Sequence, residues 1–66
     1  MVSYDPLWKL LIDKKMNRME LCRHINISTA TLAKMGKNEY IALKILDKIC
    51  CELECNIEDV IEIVKE

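Results

Sequence analysis

Turn-forming residues are scarce in this sequence, which has one glycine and one proline among its 66 residues. A sheet protein needs several tight turns, and most of those turns use glycine or proline. Meanwhile 52% of the residues are hydrophobic and 32% are charged, a balance typical of a folded domain and not of a disordered tail. The sequence therefore excludes a sheet-rich fold and favours helices, in a single small domain spanning residues 1–66.

Long apolar runs are also missing, because lysines interrupt the longest hydrophobic stretches well short of a membrane span. The first residues lack the basic and apolar pattern of a secretory leader, so we expect a cytoplasmic protein with no membrane partner. In a reducing cytoplasm the cysteines are expected to be reduced and structural, and their spacing lacks the two ligand pairs of a zinc site. These four residues are Cys22, Cys50, Cys51 and Cys55.

Patterns of catalysis are absent as well: the sequence has no paired carboxylates, no activated nucleophile and no glycine-rich phosphate loop. So short a chain is not expected to form a pocket of about 300 Å³. We therefore expect no enzymatic activity, no cofactor, no metal and no small-molecule ligand. The remaining special side chains are expected to be structural, with His24 facing solvent and Trp8 and Tyr40 at an edge of the core.

Apolar residues recur in steps of three and four along most of the chain, a spacing that predicts five short helices. Helix 1 is expected over about 6–15 and helix 4 over about 42–53, with Leu43 on its apolar face. Helix 2 begins at Asn17, which can form a capping box with Glu20. Helix 5 begins at Asn56 and is expected to continue to Val64.

The middle of the chain, over about residues 18–36, predicts two short helices joined by a tight turn. Asn26 tolerates the left-handed backbone of such a turn, and Ser28 can cap the helix that follows. Gly36 is placed to end that helix in the left-handed conformation. The outward residues of the second helix are small or polar, as a helix entering the major groove of DNA requires.

The apolar positions of this segment reproduce the inward pattern of the helix-turn-helix motif. On these residues the chain resembles the Cro/C1-type (XRE-type) family of bacterial and phage regulators, over about residues 6–64. The family's turn is usually Gly-Ile-Ser and its small crossing residue Ala, where this sequence has Asn26-Ile27-Ser28 and Cys22. The run Leu32 to Tyr40 is similar to a branch of very small regulators associated with resistance operons and mobile elements.

The resemblance implies an all-α, five-helix, lambda-repressor-like domain that regulates transcription by binding double-stranded operator DNA. It assigns base contacts to Thr29, Ala30 and Lys34. It assigns phosphate contacts to Arg18, Ser28, Thr31, Lys37 and Asn38. Arg18 stands where the family usually has Gln, and an arginine there is expected to bind a phosphate directly.

A net charge of -1 argues at first against a nucleic-acid partner. The charge is divided along the chain, however, since residues 1–48 carry nine Lys or Arg against five Asp or Glu, while residues 49–66 carry one against six. The part that contains the motif is therefore basic at +4 and the remainder acidic at -5. This polarity is expected to orient the domain on DNA.

Two functions remain open from the sequence. The first is a sequence-specific transcriptional regulator, expected to bind as a homodimer through its C-terminal end, where Ile63 and Val64 lie among acidic residues. The second is a protein-interaction module on the same fold, such as an adaptor or an antitoxin-like partner.

Overall fold

The computed structural model describes residues 1–65, which form a mostly helical domain. Four α-helices follow one another, and a single 3-10 turn, Ile57–Asp59, comes after the last of them. Two short strands pair antiparallel, with Val2 opposite Ile63 and Ser3 opposite Glu62. In chain order the elements are β1 (Val2–Ser3), α1 (Asp5–Asp13), α2 (Arg18–Ile25), α3 (Thr29–Gly36), α4 (Leu43–Leu53) and β2 (Glu62–Ile63).

The predicted starts of α2 and α3 are confirmed. The Asn17 side chain accepts the Glu20 N–H at 2.8 Å, and the Glu20 carboxylate accepts the Asn17 N–H at 3.0 Å, which completes the capping box. Ser28 caps α3 by accepting the N–H of Thr31 at 3.2 Å. These local hydrogen bonds satisfy N–H groups that have no partner within a helix.

Each of the four α-helices is followed, one or two residues after its end, by a residue in the left-handed conformation, and none of these residues is glycine. The backbone φ angles are 56° at Lys15, 57° at Asn26, 57° at Asn38 and 51° at Glu54. Gly36 does not have a positive φ, so the prediction that it ends α3 in this way was wrong. Asn38, two residues later, has that role, because a short polar side chain tolerates the left-handed region better than most.

The predicted fifth helix was wrong, whereas the mostly helical character of the domain is confirmed. After one 3-10 turn the chain extends into β2, which binds the N-terminal strand instead of continuing as a helix. Val60 holds the chain in place where the 3-10 turn gives way to the strand. Its side chain is fully buried, and its carbonyl accepts the N–H of Leu7 at 3.2 Å. Pairing with β1 supplies the backbone hydrogen bonds of this segment in place of those of a helix.

The core lies between the helices and is closed at one side by the strand pair. Its fully buried side chains come from nearly every element: Tyr4, Leu7, Leu21, Met35, Ile49 and Val60. Burial of such side chains contributes about 1.5–3 kcal/mol each. Val2, Ser3 and Tyr4, which precede the first predicted helix, are all buried, so the N-terminal segment is part of the core.

Two further sequence expectations about burial were wrong. Leu43 was placed on the apolar face of α4, yet it begins the helix and is 71% exposed. Tyr40 was expected at an edge of the core and is 74% exposed. Both residues lie where the chain passes from α3 to α4. No helix in the described part of the chain is long and apolar enough to cross a membrane.

Candidate nucleic-acid interface

The turn between α2 and α3 fixes the angle at which these two helices meet. Asn26 adopts φ 57° and ψ 50°, which reverses the chain at once after Ile25. The next residue, Ile27, packs against the core and donates its N–H to the Cys22 carbonyl at 3.1 Å. This hydrogen bond and this apolar contact hold the turn in a single conformation.

Helix α3 has one buried side and one exposed side. Met35 is fully buried and Leu32 is half-buried, so these two residues attach the helix to the rest of the domain. The opposite side carries small and polar side chains, and the helix has no acidic residue. Its exposed residues include Thr29, Ala30, Ala33 and Lys34. A side of this kind can approach base edges without placing a bulky or negative group in the groove.

The first turn of α3 carries two hydroxyl groups that contact each other. Ser28 Oγ and Thr31 Oγ1 are 3.1 Å apart, and the same Ser28 oxygen accepts the Thr31 N–H. Ser28 is exposed and Thr31 is partly buried. The pair lies at the helix N-terminus, where free N–H groups and the helix dipole favour an anion such as phosphate.

Arg18 is held in place by an aromatic ring that the sequence reading did not connect with it. Its guanidinium carbon lies 3.7 Å from the centre of the Trp8 ring, a cation–π contact worth about 0.5–1 kcal/mol at an exposed site. The guanidinium also extends towards the end of α3, since a Cβ atom at Gly36 would lie 3.8 Å from Arg18 Nη1. Arg18 therefore lies next to Gly36, the last residue of α3, which is followed in the chain by Lys37.

The loop after α3 is tied to the N-terminal segment. The Asn38 side-chain oxygen accepts the N–H of Tyr4 at 3.2 Å, and the Tyr4 hydroxyl donates to the Glu39 carbonyl at 2.7 Å. The Asn38 oxygen therefore has a structural partner, and its amide group is left as the donor for a ligand. Lys37 is exposed beside it. Sequence reasoning missed this support, because Tyr4 and Asn38 are far apart in the chain.

Lys34 and Thr31 line a shallow groove of about 280 Å³ between α3 and the start of α4. The exposed Tyr40 forms part of the same groove, together with Ile41, Ala42 and Ile45. The predicted site residues thus lie in three places: on α3 and its cap, at Arg18 beside the end of α3, and in the loop at 37–38.

The surface of the domain also has other concavities. A groove of about 310 Å³ passes Trp8 and Arg18, and another of about 330 Å³ lies between Leu43 on α4 and Ile57. The expectation that so short a chain has no concavity of this size was therefore wrong. Among residues 1–65 no three His, Cys, Asp or Glu side chains are grouped as metal ligands would be.

The two helices, their fixed turn and the exposed side of α3 define a helix-turn-helix module of the DNA-binding kind. Comparison of the sequence with known protein families agrees, since the profile of the Cro/C1-type HTH DNA-binding domain matches residues 6–66. The chain belongs to this family, as the sequence resemblance indicated. Domains of this kind are typically non-enzymatic.

Comparison with solved structures shows a near-complete match. The chain is similar to the transcriptional regulator VanUg, in its crystal form II, with a TM-score of 0.95 and 48% sequence identity. The alignment covers 98% of this chain and 87% of that chain. Residues 32–40 of the sequence resemble a branch of very small regulators, of which the VanU type is one. The match to VanUg confirms this resemblance. A comparison with curated proteins found no match.

Proposed function

We propose that this protein is a sequence-specific transcriptional regulator that binds operator DNA in the major groove through α3. One observation carries the proposal: α3 is attached to the core by Met35 and presents an exposed side of small, polar and basic residues. A helix that is fixed on one side and free of bulky groups on the other has the shape that the groove accepts. Membership of a DNA-binding domain family supports the same function.

Base reading is assigned to the exposed side of α3. Thr29 can donate or accept a hydrogen bond at a base edge, and its methyl group can contact a thymine methyl. Ala30 can make only the apolar contact. Lys34, just over one helical turn further on, carries the positive charge that guanine O6 and N7 attract. The three contacts together would distinguish only a few base pairs.

Phosphate binding is assigned to groups on either side of α3. Ser28 and Thr31 offer hydroxyl groups at the helix N-terminus. Arg18, Lys37 and the amide group of Asn38 lie at or beside the other end of the helix, where Trp8 and Tyr4 hold two of them in place. Contacts of this kind fix the orientation of the helix in the groove without reading sequence.

The protein is proposed to bind as a homodimer. One small module makes few base contacts, and helix-turn-helix proteins usually occupy two half-sites about 34 Å apart. Ile63, 68% exposed, and Val64, 39% exposed, are the proposed contact at the C-terminal end. Sedimentation of the free protein and of its complex with a footprinted site tests the dimer.

A regulator of operator DNA acts in the bacterial cytoplasm, where the DNA is.

A fluorescence titration against DNA from the protein's own promoter region, repeated at several salt concentrations, tests the proposed function. Specific binding should weaken linearly when the logarithm of the affinity is plotted against that of the salt concentration, because phosphate contacts release counterions. Footprinting then locates the operator. If no promoter fragment binds even at low salt, the proposed function is wrong.

Two lysines separate base reading from phosphate binding. We expect Lys34→Ala to lose about 1–3 kcal/mol of binding free energy on the operator and to relax the preference at particular base pairs. Lys37→Ala should weaken binding to all sequences about equally and reduce the salt slope by about 1. Titration of both variants against the operator and single-base variants measures this. Equal losses on every sequence for both variants would contradict the assignment.

The second candidate, a protein-interaction module, is favoured by the groove between α4 and the 3-10 turn. Leu43 is 71% exposed and Ile57 is 42% exposed, and both line this mainly apolar groove together with Leu46. Apolar side chains at the margin of a groove suit a partner helix or loop. The DNA titration separates the two functions, since an adaptor or antitoxin-like module on this fold need not bind promoter DNA.

A further inference from the structure

Three of the helices end in the same turn, in which a backbone N–H reaches back over the left-handed residue to a carbonyl five residues earlier. The bonds are Met16 to Leu11 at 2.9 Å, Ile27 to Cys22 at 3.1 Å and Cys55 to Cys50 at 3.0 Å. This geometry brings the side chains of the donor and acceptor residues into contact, usually as an apolar pair. At α1 the pair is apolar, with Leu11 and Met16. At α4 both members are cysteines.

The Cys50 and Cys55 thiols are therefore neighbours by backbone geometry. Both are free, both are half-buried and both pack against the core. Burial raises the pKa of the Cys55 thiol, and the neighbouring Cys50 raises it further. The bond from the Cys55 N–H to the Cys50 carbonyl, 3.0 Å long, holds the two residues together across the turn, as a disulfide between them requires.

The other two cysteines lack such a partner in the described residues. Cys51 is exposed, and its thiol donates to the Asp47 carboxylate at 3.8 Å. It follows Cys50 on α4, and successive helical residues point about 100° apart. Cys22 is buried in α2 and faces Ile27 across its own turn. Accessibility alone favours oxidation of Cys51, whereas proximity favours the pair at the end of α4.

We propose that Cys50 and Cys55 are a disulfide-forming pair, oxidised by a low-molecular-weight disulfide. One thiolate attacks a sulfur of the small disulfide, which forms a mixed disulfide and releases one small thiolate. The second protein thiolate then attacks the protein sulfur of that bond and releases the other. The protein loses two protons and two electrons, and the small disulfide is reduced to two thiols.

The new bond closes the turn around Glu54, whose left-handed backbone leads the chain from α4 to the 3-10 turn. Because a cross-link restricts the unfolded chain, the oxidised protein should have a higher Tm. Because the pKa of Cys55 is raised, little of its thiol is ionised at neutral pH and oxidation there should be slow. The reaction is therefore measured at mildly alkaline pH, where more thiolate is present.

The test treats the reduced, full-length protein with oxidised glutathione, blocks the remaining thiols with an alkylating reagent and maps all four cysteines by mass spectrometry. We expect one intramolecular bond between Cys50 and Cys55, a loss of the mass of two hydrogen atoms, and alkylation of Cys22 and Cys51. A Cys51–Cys55 bond, glutathione adducts alone, or four alkylated thiols after prolonged incubation would overturn the proposal.

Two variants and a denatured sample complete the test. Cys51→Ser should leave the cross-link intact, whereas Cys55→Ser should abolish it and leave Cys50 free to be alkylated or to carry glutathione. Circular dichroism checks that both variants are folded. In urea the preference for Cys50 over Cys51 as the partner of Cys55 should be lost. If the same preference persists in urea, the folded turn does not create the pair and the proposal is wrong.

Discussion

At the scale of the residue, single side chains determine how the loop after α3 is held. Tyr4 makes two contacts with this loop, through its backbone N–H to Asn38 and through its hydroxyl to the Glu39 carbonyl. Its ring is buried, with 2% of its surface exposed. Tyr40 is the opposite case, an exposed ring in the same region. The two tyrosines therefore form a matched pair for mutation.

We expect Tyr4→Phe to lower the free energy of unfolding by about 1 kcal/mol, because the Glu39 carbonyl loses its hydrogen bond from the hydroxyl at 2.7 Å. Tyr40→Phe, at an exposed position, should change it by less than about 0.5 kcal/mol. Urea unfolding at neutral pH measures both. Similar losses in the two variants would show that the Tyr4 hydrogen bond adds nothing.

Tyr4 also makes the stability of the folded protein depend on pH. Burial raises the pKa of Tyr4 above its ordinary value of 10.0, so the folded state holds the phenol proton more tightly than the unfolded state does. The stability due to this proton is complete below that ordinary pKa and is lost as the pH rises towards the higher pKa of the folded state. Tyr4→Phe should therefore lose less stability than the wild type across alkaline pH, as urea titrations at several pH values can show.

At the scale of the element, the helix ends show how this chain folds with so little glycine. Lys15, Asn26, Asn38 and Glu54 adopt the left-handed backbone that glycine usually supplies. The conformation costs an ordinary residue about 1–2 kcal/mol relative to the right-handed region, and asparagine less. The backbone hydrogen bonds of each turn, and the side-chain contact that these bonds bring about, offset part of this cost.

Glycine at one of these positions should stabilise the protein. We expect Lys15→Gly to raise the free energy of unfolding by about 0.5–1 kcal/mol, because glycine adopts a φ of 56° without strain. Lys14→Gly is the matched control, since Lys14 has a φ of -88° and gains nothing from glycine. It should be neutral or destabilising. Thermal unfolding of both variants distinguishes these outcomes, and equal shifts in Tm would contradict the argument.

At Gly36 the stabilising substitution is the reverse one, from glycine to alanine. It lies within α3 at negative φ, and an added Cβ meets only Arg18 Nη1, at 3.8 Å, an ordinary contact distance. We expect Gly36→Ala to stabilise the protein by about 0.5–1 kcal/mol, because alanine is the better helix former. A left-handed Gly36 would instead make alanine destabilising, so the sign of the change in Tm tests the helix end directly.

At the scale of the whole molecule, charge is divided between the DNA-binding part and the C-terminal end. Residues 49–66 carry six acidic residues and one lysine, while α3 contains no acidic residue. The 3-10 turn, with Glu58 and Asp59, packs against α1 and α4, whereas α3 packs against α2. An uneven charge distribution of this kind favours approach to DNA by the basic side.

Neutralising the acidic end should make DNA binding less selective. We expect the triple variant Glu54→Gln, Glu58→Gln, Glu62→Gln to bind unrelated DNA several-fold more tightly at low salt, because repulsion from phosphate is removed. The difference should fade as salt rises, since the Debye length is only about 10 Å at 0.1 M. Titrations with unrelated duplex DNA at two salt concentrations measure it. Unchanged affinity at low salt would contradict the orienting role.

Much of the helical part of the fold was predictable from the sequence, because the signals for it are local. The capping box of Asn17 and Glu20, the Ser28 cap and the left-handed Asn26 each depend on residues within a few positions of one another. The spacing of apolar residues likewise predicted where α2, α3 and α4 lie to within about two residues. The family resemblance rested on this same segment.

The rest depended on contacts between distant parts of the chain. Residues 60–64 have apolar spacing suited to a helix, yet Val60 bonds to Leu7 and the next residues pair with Val2 and Ser3. The contact between Trp8 and Arg18 joins residues that are 10 positions apart. The hydrogen bond between Tyr4 and Asn38 joins residues that are 34 positions apart. The sequence by itself determined the helix-turn-helix and its exposed residues. Only the tertiary structure decided the strand pair and the support of the phosphate-binding side chains, because long-range hydrogen bonds and packing outweigh weak local preferences.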